Sequence, residues 1–492
     1  MVKLGIYLTV VTTMRFRQCV IWAFWFIVFF TGCKDNSYRG YVENTDNYSP
    51  PLTVHVAVGD PSAMTKGSGP MNGVKDFAGK AVHVWAFSRD SISDYTISRD
   101  RDSLNCLVDG YPALLDGVNS IAKWQDGKKF YYPRLEYSRV KYDFFAAFMD
   151  GLPFQIKRFV DRIELDAVID GSQDILTAKA DLPISGSGDQ KDTAFYAFSY
   201  LSAEKGDMPI FTMNHGTVRI DLVLKPGIAS GNTSRVVVKQ ATLSSRTDIR
   251  VISAAKDSSL IGVVFKEGGA YKDLLLSEED GSPLKEYTLQ ILDGADPDAP
   301  KKQVEAIHQL GAAFFVSPEK RYTLSLLLHE PDHDDEYVDR DPIDNVVRLM
   351  APEAEFRQGN RYVVNMTIFG ERDIYYTVSL APWRSSGIFM IDQDLDSELI
   401  EMMIVASDIE ITQGQSYSLN PQLLLSGVPS SRDDVVFSFE SLNPDIVLAD
   451  ANNGKLTALN PGIARIIITA TRPPAGDFPG GTGVKTIQVK VN

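Results

Sequence analysis

The amino-acid sequence predicts an all-β fold that is built from several β-sandwiches. Three observations lead to this prediction. Short segments with alternating apolar residues recur along the chain, they are rich in Val, Ile, Tyr and Phe, and Gly, Pro, Asn and Asp separate them. Long helical periodicity is rare. Many short strands with regular turn signals are typical of β-sandwiches.

The predicted strands begin at residue 52 and continue into the C-terminal region. Residues 52–58 and 80–88 show the cleanest alternation. Further strands are predicted at residues 140–148, 162–169, 217–224, 234–243, 287–292, 322–328, 361–369 and 375–380. Residues 113–124 and 395–405 are the two segments that we predict to be helical.

Length and composition indicate a folded protein with several domains. The chain has 492 residues, of which 44% are hydrophobic and 23% are charged. This length predicts about two to four domains, and the composition excludes a collagen, a disordered tail and a polytopic membrane protein. The formal net charge is −15. Because so acidic a surface repels phosphate backbones, we expect no nucleic-acid partner.

The N-terminus has the pattern of a secretory signal peptide. Arg15 and Arg17 precede an apolar segment that covers residues 19–30. A basic segment followed by about a dozen apolar residues is too short for a membrane-spanning helix and is typical of a signal sequence. We therefore assign residues 1–32 to a signal peptide of the lipoprotein type. Both Met1 and Met14 stay open as the true start.

Cys33 is the predicted site of lipid attachment. Phe30-Thr-Gly-Cys33 directly follows the apolar segment and resembles a bacterial lipobox, in which the cysteine is diacylated. Acyl chains contribute about 0.8 kcal/mol per methylene buried in a bilayer, and several chains anchor a protein stably. Residues 33–51 are polar and are predicted to form a tether. The protein is thus expected to be anchored to a membrane through an N-terminal lipid.

A series of short motifs follows between residues 80 and 383. They are the strand at 80–88, a tyrosine-proline turn at 131–133, an aromatic strand at 142–148, the segment 174–180, a Phe-x-x-x-His strand entry at 211–215, a glycine turn at 356–362, and Trp383. In this order they resemble the fimbrillin-like superfamily of Bacteroidales surface lipoproteins. The resemblance implies two tandem transthyretin-like β-sandwiches, at residues 52–215 and 216–395, and a location at the outer membrane and cell surface.

Residues 407–492 contain a different pattern. Ser441-Leu-Asn-Pro-Asp-Ile-Val447 is followed by Asn453-Gly-Lys-Leu-Thr-Ala-Leu459 and by a Pro461-Gly462 turn before an alternating strand. An Asn-Gly pair supplies the positive-φ positions that a tight hairpin needs. The whole pattern resembles bacterial Ig-like domains of group 2. This resemblance implies a third, Ig-like β-sandwich, and residues 396–406 are then a linker.

The sequence contains no motif for catalysis or for a cofactor. The histidines form no zinc-binding pattern; they are His55, His83, His215, His308, His329 and His333. No G-x-S-x-G nucleophile elbow occurs either. Residues 480–486 resemble a phosphate loop but lead into a strand. We therefore expect no catalytic residue, no metal, no cofactor and no enzymatic activity. The acidic segment 332–341 is predicted to be a solvated loop, and calcium binding there stays open.

The resemblance favours a role in fimbria assembly and adhesion. Fimbrillin-like subunits bind one another by strand exchange after a protease has removed the first strand. Family cleavage follows an arginine in the loop after that strand, whereas the loop at 59–79 contains Lys66 and Lys75 but no arginine. This departure favours a pilus anchor or accessory subunit over a stalk subunit. Removal of the first strand and the choice between anchor, accessory and tip positions stay open.

The alternative is a stand-alone surface lipoprotein that binds a glycan or a host protein. Exposed aromatic side chains would favour this alternative, because sugar faces stack on aromatic rings. Trp85, Trp124 and Trp383 are the candidates, although burial in a core is the more common role for tryptophan in an alternating strand. The sequence does not identify the adhesion ligand.

Overall fold

The structure is a computed structural model of the chain. It describes residues 50–58, 79–89, 105–115, 121–133, 140–181, 198–229, 234–331, 341–381, 401–425, 428–430, 434–473 and 480–492. Regular structure in these ranges is nearly all β-strand; the α-helices are α1 (Tyr200–Glu204) and α2 (Ala299–Glu305). The predicted all-β fold is therefore confirmed. No helix in the described ranges is both long enough and apolar enough to span a bilayer.

The N-terminal strands form a closed barrel. The strands up to residue 215 are β1 (Val54–Val58), β2 (Ala81–Ser88), β3 (Cys106–Leu114), β4 (Ile121–Trp124), β5 (Tyr142–Phe148), β6 (Gln155–Arg158), β7 (Arg162–Val168), β8 (Leu176–Lys179) and β9 (Ile210–His215). Around the barrel the order is β1-β4-β3-β2-β5-β8-β9, and β1 returns to pair with β9. Alternate residues of each strand point inward and build one aromatic-rich core.

A second group of strands forms a two-sheet sandwich. The strands between residues 218 and 381 are β10 (Val218–Pro226), β11 (Ile228–Ala229), β12 (Arg235–Arg246), β13 (Asp248–Ala255), β14 (Gly262–Phe265), β15 (Tyr271–Leu275), β16 (Tyr287–Gln290), β17 (Leu292–Asp293), β18 (His308–Val316), β19 (Arg321–His329), β20 (Ile343–Met350), β21 (Arg361–Gly370) and β22 (Asp373–Ala381). One sheet begins β18-β10-β21-β22, and the other contains β15-β12-β19-β20 with β16 beside β12. Their inner faces share the largest apolar core in the described ranges.

The first two groups of strands are joined by a shared sheet. β13 and β14 do not stay with the sandwich but pair with β7 and β6, in the order β14-β13-β7-β6. This sheet covers the outside of the barrel, where Trp85 and Phe145 pack against Leu165 and Val251. The predicted boundary at residue 215 lies between β9 and β10. The boundaries of the domains stay a prediction, because strands from both sides of residue 215 hydrogen-bond to each other.

The remaining strands form a C-terminal module, which we define as residues 402–492. They are β23 (Met402–Val405), β24 (Ile409–Ile411), β25 (Ser416–Ser418), β26 (Gln422–Leu425), β27 (Val428–Ser430), β28 (Val436–Ser441), β29 (Val447–Ala449), β30 (Lys455–Ala458), β31 (Gly462–Arg472) and β32 (Gly481–Val491). β28, β31 and β32 continue the sheet that contains β22. The Ig-like character of this module stays a prediction.

Both helix predictions differ from the structure. Residues 113–124 contain the end of β3 and all of β4, and the part of 395–405 that is described contains β23. In β4, Ala122 is buried between exposed Ile121 and Lys123, and in β23 the buried residues are Met402 and Ile404. This period of two belongs to a strand with one buried face, and the segments were too short to reveal it.

One hairpin of the C-terminal module differs in detail from its prediction. Gly454 has a φ of +67°, as a hairpin glycine should, but Asn453 is not among the described residues with positive φ. The reason is the length of the turn, because residues 450–454 connect β29 to β30. The Asp450 side chain accepts hydrogen bonds from the backbone N–H groups of Asn452 and Asn453 and so holds this longer turn.

Candidate assembly edges and the buried junction

The first strand, β1, fills a gap in the wall of the barrel. It lies parallel to β9 over residues 55–58 and antiparallel to β4 at residues 54 and 55. Val54 and Val56 are buried in the barrel core, at 0% and 1% exposure. Without β1, the edges of β4 and β9 would face each other with unpaired backbone groups. β1 therefore completes the hydrogen bonding of two neighbouring strands.

The residues just before β1 are also held in place. The backbone N–H of Leu52 donates to the carbonyl oxygen of Phe130 at 2.8 Å. The Trp124 indole Nε1 donates to the carbonyl oxygen of Leu52 at 2.9 Å, and the Trp124 ring packs edge-on against Phe130 at 4.8 Å. Trp124 thus anchors the entry to β1.

The last strand, β32, lies inside a sheet and has neighbours on both sides. It pairs antiparallel with β31 along its whole length. On its other side, residues 482–485 pair with residues 373–376 of β22, and residues 489–491 pair in parallel with β24. The backbone N–H of Asn492 donates to the carbonyl oxygen of Ile411 at 3.1 Å. The strand is therefore tied to the C-terminal module and to the sandwich at the same time.

The contact between β22 and β32 is built by close approach and by charge. A Cβ on Gly481 would lie 2.2 Å from the hydroxyl oxygen of Tyr375 in β22, and a Cβ on Gly483 would lie 3.0 Å from the carbonyl oxygen of Met402 in the neighbouring strand β23. Lys485 Nζ lies 2.5 Å from Asp373 Oδ2. Burial raises the pKa of Asp373, and Lys485 opposes this effect. The glycines that resemble a phosphate loop thus have a packing role.

The C-terminal module and the sandwich also share cores. Ile467 and Val484 of the module belong to the core of the sandwich, whereas Phe369 and Tyr375 of the sandwich belong to the core of the module. Polar contacts surround this interface. From the sandwich, Arg348 Nε lies 3.2 Å from Glu440 Oε2 and Arg372 Nη1 lies 2.8 Å from Asp408 Oδ2. From the module, Arg465 Nη1 donates to the Asp344 carbonyl oxygen at 3.2 Å, and just before the module Glu401 Oε1 lies 2.5 Å from Lys225 Nζ. The module packs as a continuation of the sandwich rather than as a separate spacer.

Three of the family-like motifs meet in a polar cluster where β9 passes into β10; its histidine and charged members are largely buried, whereas Gln358 is exposed. We call this cluster the junction. His215, from the 211–215 motif, places Nδ1 3.0 Å from Oδ1 of Asp174, the first residue of the 174–180 motif. The Asp174 side chain is fully buried. From the 356–362 motif, Gln358 Nε2 donates to the carbonyl oxygens of Gly216 and Val263, at 2.6 and 2.9 Å.

Two arginines complete the junction around one carboxylate. Arg219 Nη2 lies 3.0 Å from Asp221 Oδ1, and Arg361 Nε donates to the other oxygen of Asp221. All three residues are at most 5% exposed. Burial lowers the pKa of Arg219, and Arg361 adds to this effect while Asp221 opposes it. Buried charges of this kind persist only when they are paired, so this triad holds β10 and β21 of the sandwich together at the junction.

Sequence reasoning recognised these motifs but did not predict that their polar side chains meet. A signal was present in the segment Val218-Arg-Ile-Asp-Leu222, where two charges alternate with apolar residues. β10 is buried on nearly all of its residues, and Arg219 and Asp221 therefore need partners. The partner Arg361 lies 140 residues further along the chain, and no local pattern identifies it.

The tryptophans considered as glycan platforms have structural roles where they are described. Trp85 is 0% exposed and packs between the barrel and its covering sheet. Trp124 anchors Leu52, as described above. Trp383 lies outside the described residues.

His83, in the same strand as Trp85, packs edge-on against Phe154 at 5.0 Å. Burial lowers the pKa of His83, and the hydrogen bond to Gly110 opposes this effect.

Several predicted features cannot be placed. Cys33, the signal peptide and most of the tether lie outside the described residues, as do residues 332–340 of the acidic loop. Cys106 is half-buried, with Sγ 3.5 Å from the carbonyl oxygen of Val108. In the described part of the chain, no group of three or more His, Cys, Asp or Glu side chains is arranged to hold a metal ion. Lipid attachment at Cys33 stays a prediction.

Comparison with known proteins gives structural neighbours only. No family model and no curated protein matches the sequence. The structure is similar to a fimbrial protein of Bacteroides vulgatus, with 11% identity, a TM-score of 0.39, and 68% of this chain and 100% of that chain covered.

Two further solved structures give similar values. For a candidate cell adhesion protein of Bacteroides uniformis, the identity is 13% and the TM-score 0.37, with 68% of this chain and 98% of that chain covered. For the fimbrial anchor protein Mfa2 of Porphyromonas gingivalis, the identity is 12% and the TM-score 0.27, with the same coverage. By their names, these neighbours are fimbrial and cell-adhesion proteins.

Proposed function

We propose that this chain is a fimbrillin-like protein of the cell surface that acts in adhesion and fimbria assembly, as a lipid-anchored anchor or accessory subunit of the outer membrane. Its work is done through surfaces and strand edges rather than by catalysis. The observation that carries the proposal is that β1 and β32 both pair with strands of their own chain, β1 with β9 and β32 with β22. A stalk subunit, by contrast, has to lose one such strand and donate another.

The first strand supports retention of the N-terminal segment. β1 places Val54 and Val56 in the barrel core and pairs on both edges. The segment after it, residues 59–79, contains no arginine for the family's maturation cleavage. An uncleaved β1 keeps the barrel closed and keeps the chain connected to the predicted lipid on Cys33.

The pairing of β32 with strands of its own chain supports an anchor or accessory subunit. To donate β32 to another subunit, the chain would have to break its ladders with β31, β22 and β24. It would also remove Ile487 and Val489, both 0% exposed, from the core of the module. Loss of one such side chain costs about 1–5 kcal/mol, so donation is strongly disfavoured.

The test is the N-terminal sequence and intact mass of the protein from its native outer membrane. We expect a diacylated Cys33 followed by residues 34–79, and we expect a Cys33→Ser variant to leave the membrane fraction. A mature chain that begins after Val58 and carries no lipid would overturn the anchor proposal. Strand exchange would then be the leading mechanism.

A second measurement addresses assembly. Native extracts, separated after mild heating in SDS, are expected to contain this protein in complexes with other fimbrial subunits. A protein that is lipidated but always migrates alone would contradict a fimbrial role, and the stand-alone surface lipoprotein that binds a glycan or a host protein would replace it.

A further inference from the structure

Exposed apolar side chains lie on the outer face of the barrel wall, beside the place where the chain enters β1. His55 of β1 lies opposite Ile121 of β4 on one side and opposite Ile210 of β9 on the other. Their neighbours along each strand are buried in the barrel core, so these three side chains point outward. Ile121 and Ile210 are 41% and 50% exposed, and Met208, two residues before Ile210, is 38% exposed. We call Ile121, Met208 and Ile210 the apolar patch.

The apolar patch lies on a part of the barrel wall that the covering sheet leaves open. In the described ranges, the sheet β14-β13-β7-β6 packs against side chains of β2 and β5, among them Trp85 and Phe145. β4, β1 and β9 follow one another elsewhere in the strand order of the barrel. Trp85 and Phe145 are therefore buried, whereas Ile121 and Ile210 stay exposed.

The predicted tether leaves the barrel close to the apolar patch. The described chain begins at Pro50, five residues before His55, so at most about 18 Å of extended chain separates the two. Cys33 precedes Pro50 by 17 residues. A flexible chain of this length spans about 20–25 Å on average and about 60 Å at most. A bilayer that holds a lipid on Cys33 would therefore lie within reach of the patch.

The size of the apolar patch fits a tethered bilayer better than a second protein. A stable protein–protein interface buries about 1,200–2,000 Å², which is far more than three side chains supply. A tether lowers this requirement, because it holds the two surfaces at a high effective concentration and a weak contact is then well populated. Apolar side chains enter the boundary between headgroups and acyl chains, and this binding grows with the apolar area that is buried.

We propose that the apolar patch contacts the bilayer surface and so sets the orientation of the barrel on the membrane. The partner is the boundary between lipid headgroups and acyl chains. The inference rests on the N-terminal anchor proposed above and adds a second contact to it. β9 begins at the patch with Ile210 and ends at the junction with His215, so the chain continues into the sandwich from the end of β9 that lies away from the patch.

The test attaches the chain to vesicles in a way that does not need lipidation. Residues 34–492 with an N-terminal histidine tag and Cys106→Ser retain every other described residue. This chain is bound to phosphatidylethanolamine–phosphatidylglycerol vesicles that contain a nickel-chelating lipid. A fluorophore is attached at Ile121→Cys or, as the matched control, at Val436→Cys, which is 65% exposed in the C-terminal module. We expect spin-labelled lipid to quench the label at 121 about twofold or more and to leave the label at 436 nearly unchanged.

A charge variant tests whether the apolar side chains cause this contact. Ile210→Lys should remove most of the quenching at position 121, whereas Leu448→Lys, at a position of β29 that is 53% exposed, should not. Equal quenching at 121 and 436, or none at 121, would overturn the proposal. A label at 121 that is shielded without vesicles, together with a doubled mass in light scattering, would assign the patch to a second copy and would also overturn it. The N-terminal anchor fails separately, through the intact mass of the native protein.

Discussion

The barrel and the sandwich both depend on a strand from one end of the chain, but they depend on it to different degrees. β1 has five residues and pairs through short ladders with β4 and β9. β32 has eleven residues and pairs with β22, β24 and β31. The N-terminal strand is a short insert into the barrel wall, whereas β32 is a long interior strand of its sheet.

This difference assigns different roles to the two ends. A short strand with few backbone pairs opens locally at a lower free-energy cost than a long one, so β1 is expected to open more often than β32. A central strand that joins two cores cannot leave without loss of both. The sandwich and the C-terminal module are therefore expected to behave as one cooperative body, with the barrel as the more adaptable part.

The largest expected effect comes from a charge in either core. Val54→Asp and Ile487→Asp each bury an unpaired carboxylate at a position that is 0% exposed, and each is expected to cost about 4 kcal/mol or more. Urea unfolding measures the loss. Ile121→Asp and Ile463→Asp, on exposed positions of β4 and β31, are the controls and should cost less than about 1 kcal/mol.

The same two variants also test whether the barrel is a unit separate from the sandwich and the C-terminal module. Regional hydrogen exchange should show that Val54→Asp weakens the barrel alone. Ile487→Asp should weaken the module and the sandwich together, because they share core residues. Equal loss of protection across the whole chain in both variants would mean that the barrel is not a separate unit.

Hydrogen exchange in the unmodified protein gives the next effect. Backbone amides of β1 that pair with β9 should exchange at least about tenfold faster than paired amides of β32, because local opening of a short ladder costs less free energy. The measurement is exchange mass spectrometry with peptides that cover 52–58 and 484–491. Slower exchange in β1 than in β32 would reverse the assignment of roles.

A smaller effect concerns the anchoring of β1. Trp124→Phe removes the hydrogen bond from Nε1 to the Leu52 carbonyl oxygen and should cost about 1 kcal/mol. The hydrogen-exchange rate at residues 52–56 should rise, whereas the exchange rate in β32 should stay the same. Tyr417→Phe, on an exposed ring of the module, is the control for β1. Unchanged exchange at 52–56 in Trp124→Phe would show that the barrel holds β1 without this bond.

The smallest effect is a pH dependence at the far end of β32. The hydrogen bond from Lys490 lowers the pKa of Glu410 below its ordinary value of 4.5, and Asn492 adds to this. A lowered folded-state pKa gives stability that is present above pH 4.5 and is lost as the pH falls through the folded value. The free energy of unfolding in urea should therefore be slightly higher for the wild type than for Glu410→Gln at pH 7, and this difference should vanish in acid. A difference independent of pH would exclude this cause.

Alternation predicted the strands that are regular along their length. The predicted strands 80–88, 140–148 and 361–369 agree with β2, β5 and β21 within one or two residues at each end. β3 was missed because Gly110, with a φ of +68°, sits at a bulge opposite Trp85. β18 was missed for a similar reason, since Gly311 lies at the bulge between Ile220 and Leu222. A bulge shifts the period of two and hides the strand.

The candidate sites were less accessible to sequence reasoning than the strands. The motifs around His215, Arg219 and Arg361 are visible locally, but their meeting at the junction depends on strand order. The glycines at 481 and 483 resemble part of a phosphate loop, and their close contacts with Tyr375 of β22 and Met402 of β23 depend on how distant strands pack against β32. Register between distant strands is set by the whole core, which no short window contains.

The central position of β32 also determines when the protein can finish folding. During synthesis, about 100 residues separate the appearance of β22 from that of β32, which is roughly 5–20 seconds at typical elongation rates. Throughout this interval the β22 edge has no cover from its own chain, and the sandwich core lacks Ile467 and Val484. The sandwich core is therefore expected to be completed only once β31 and β32 have been made, later than the barrel core.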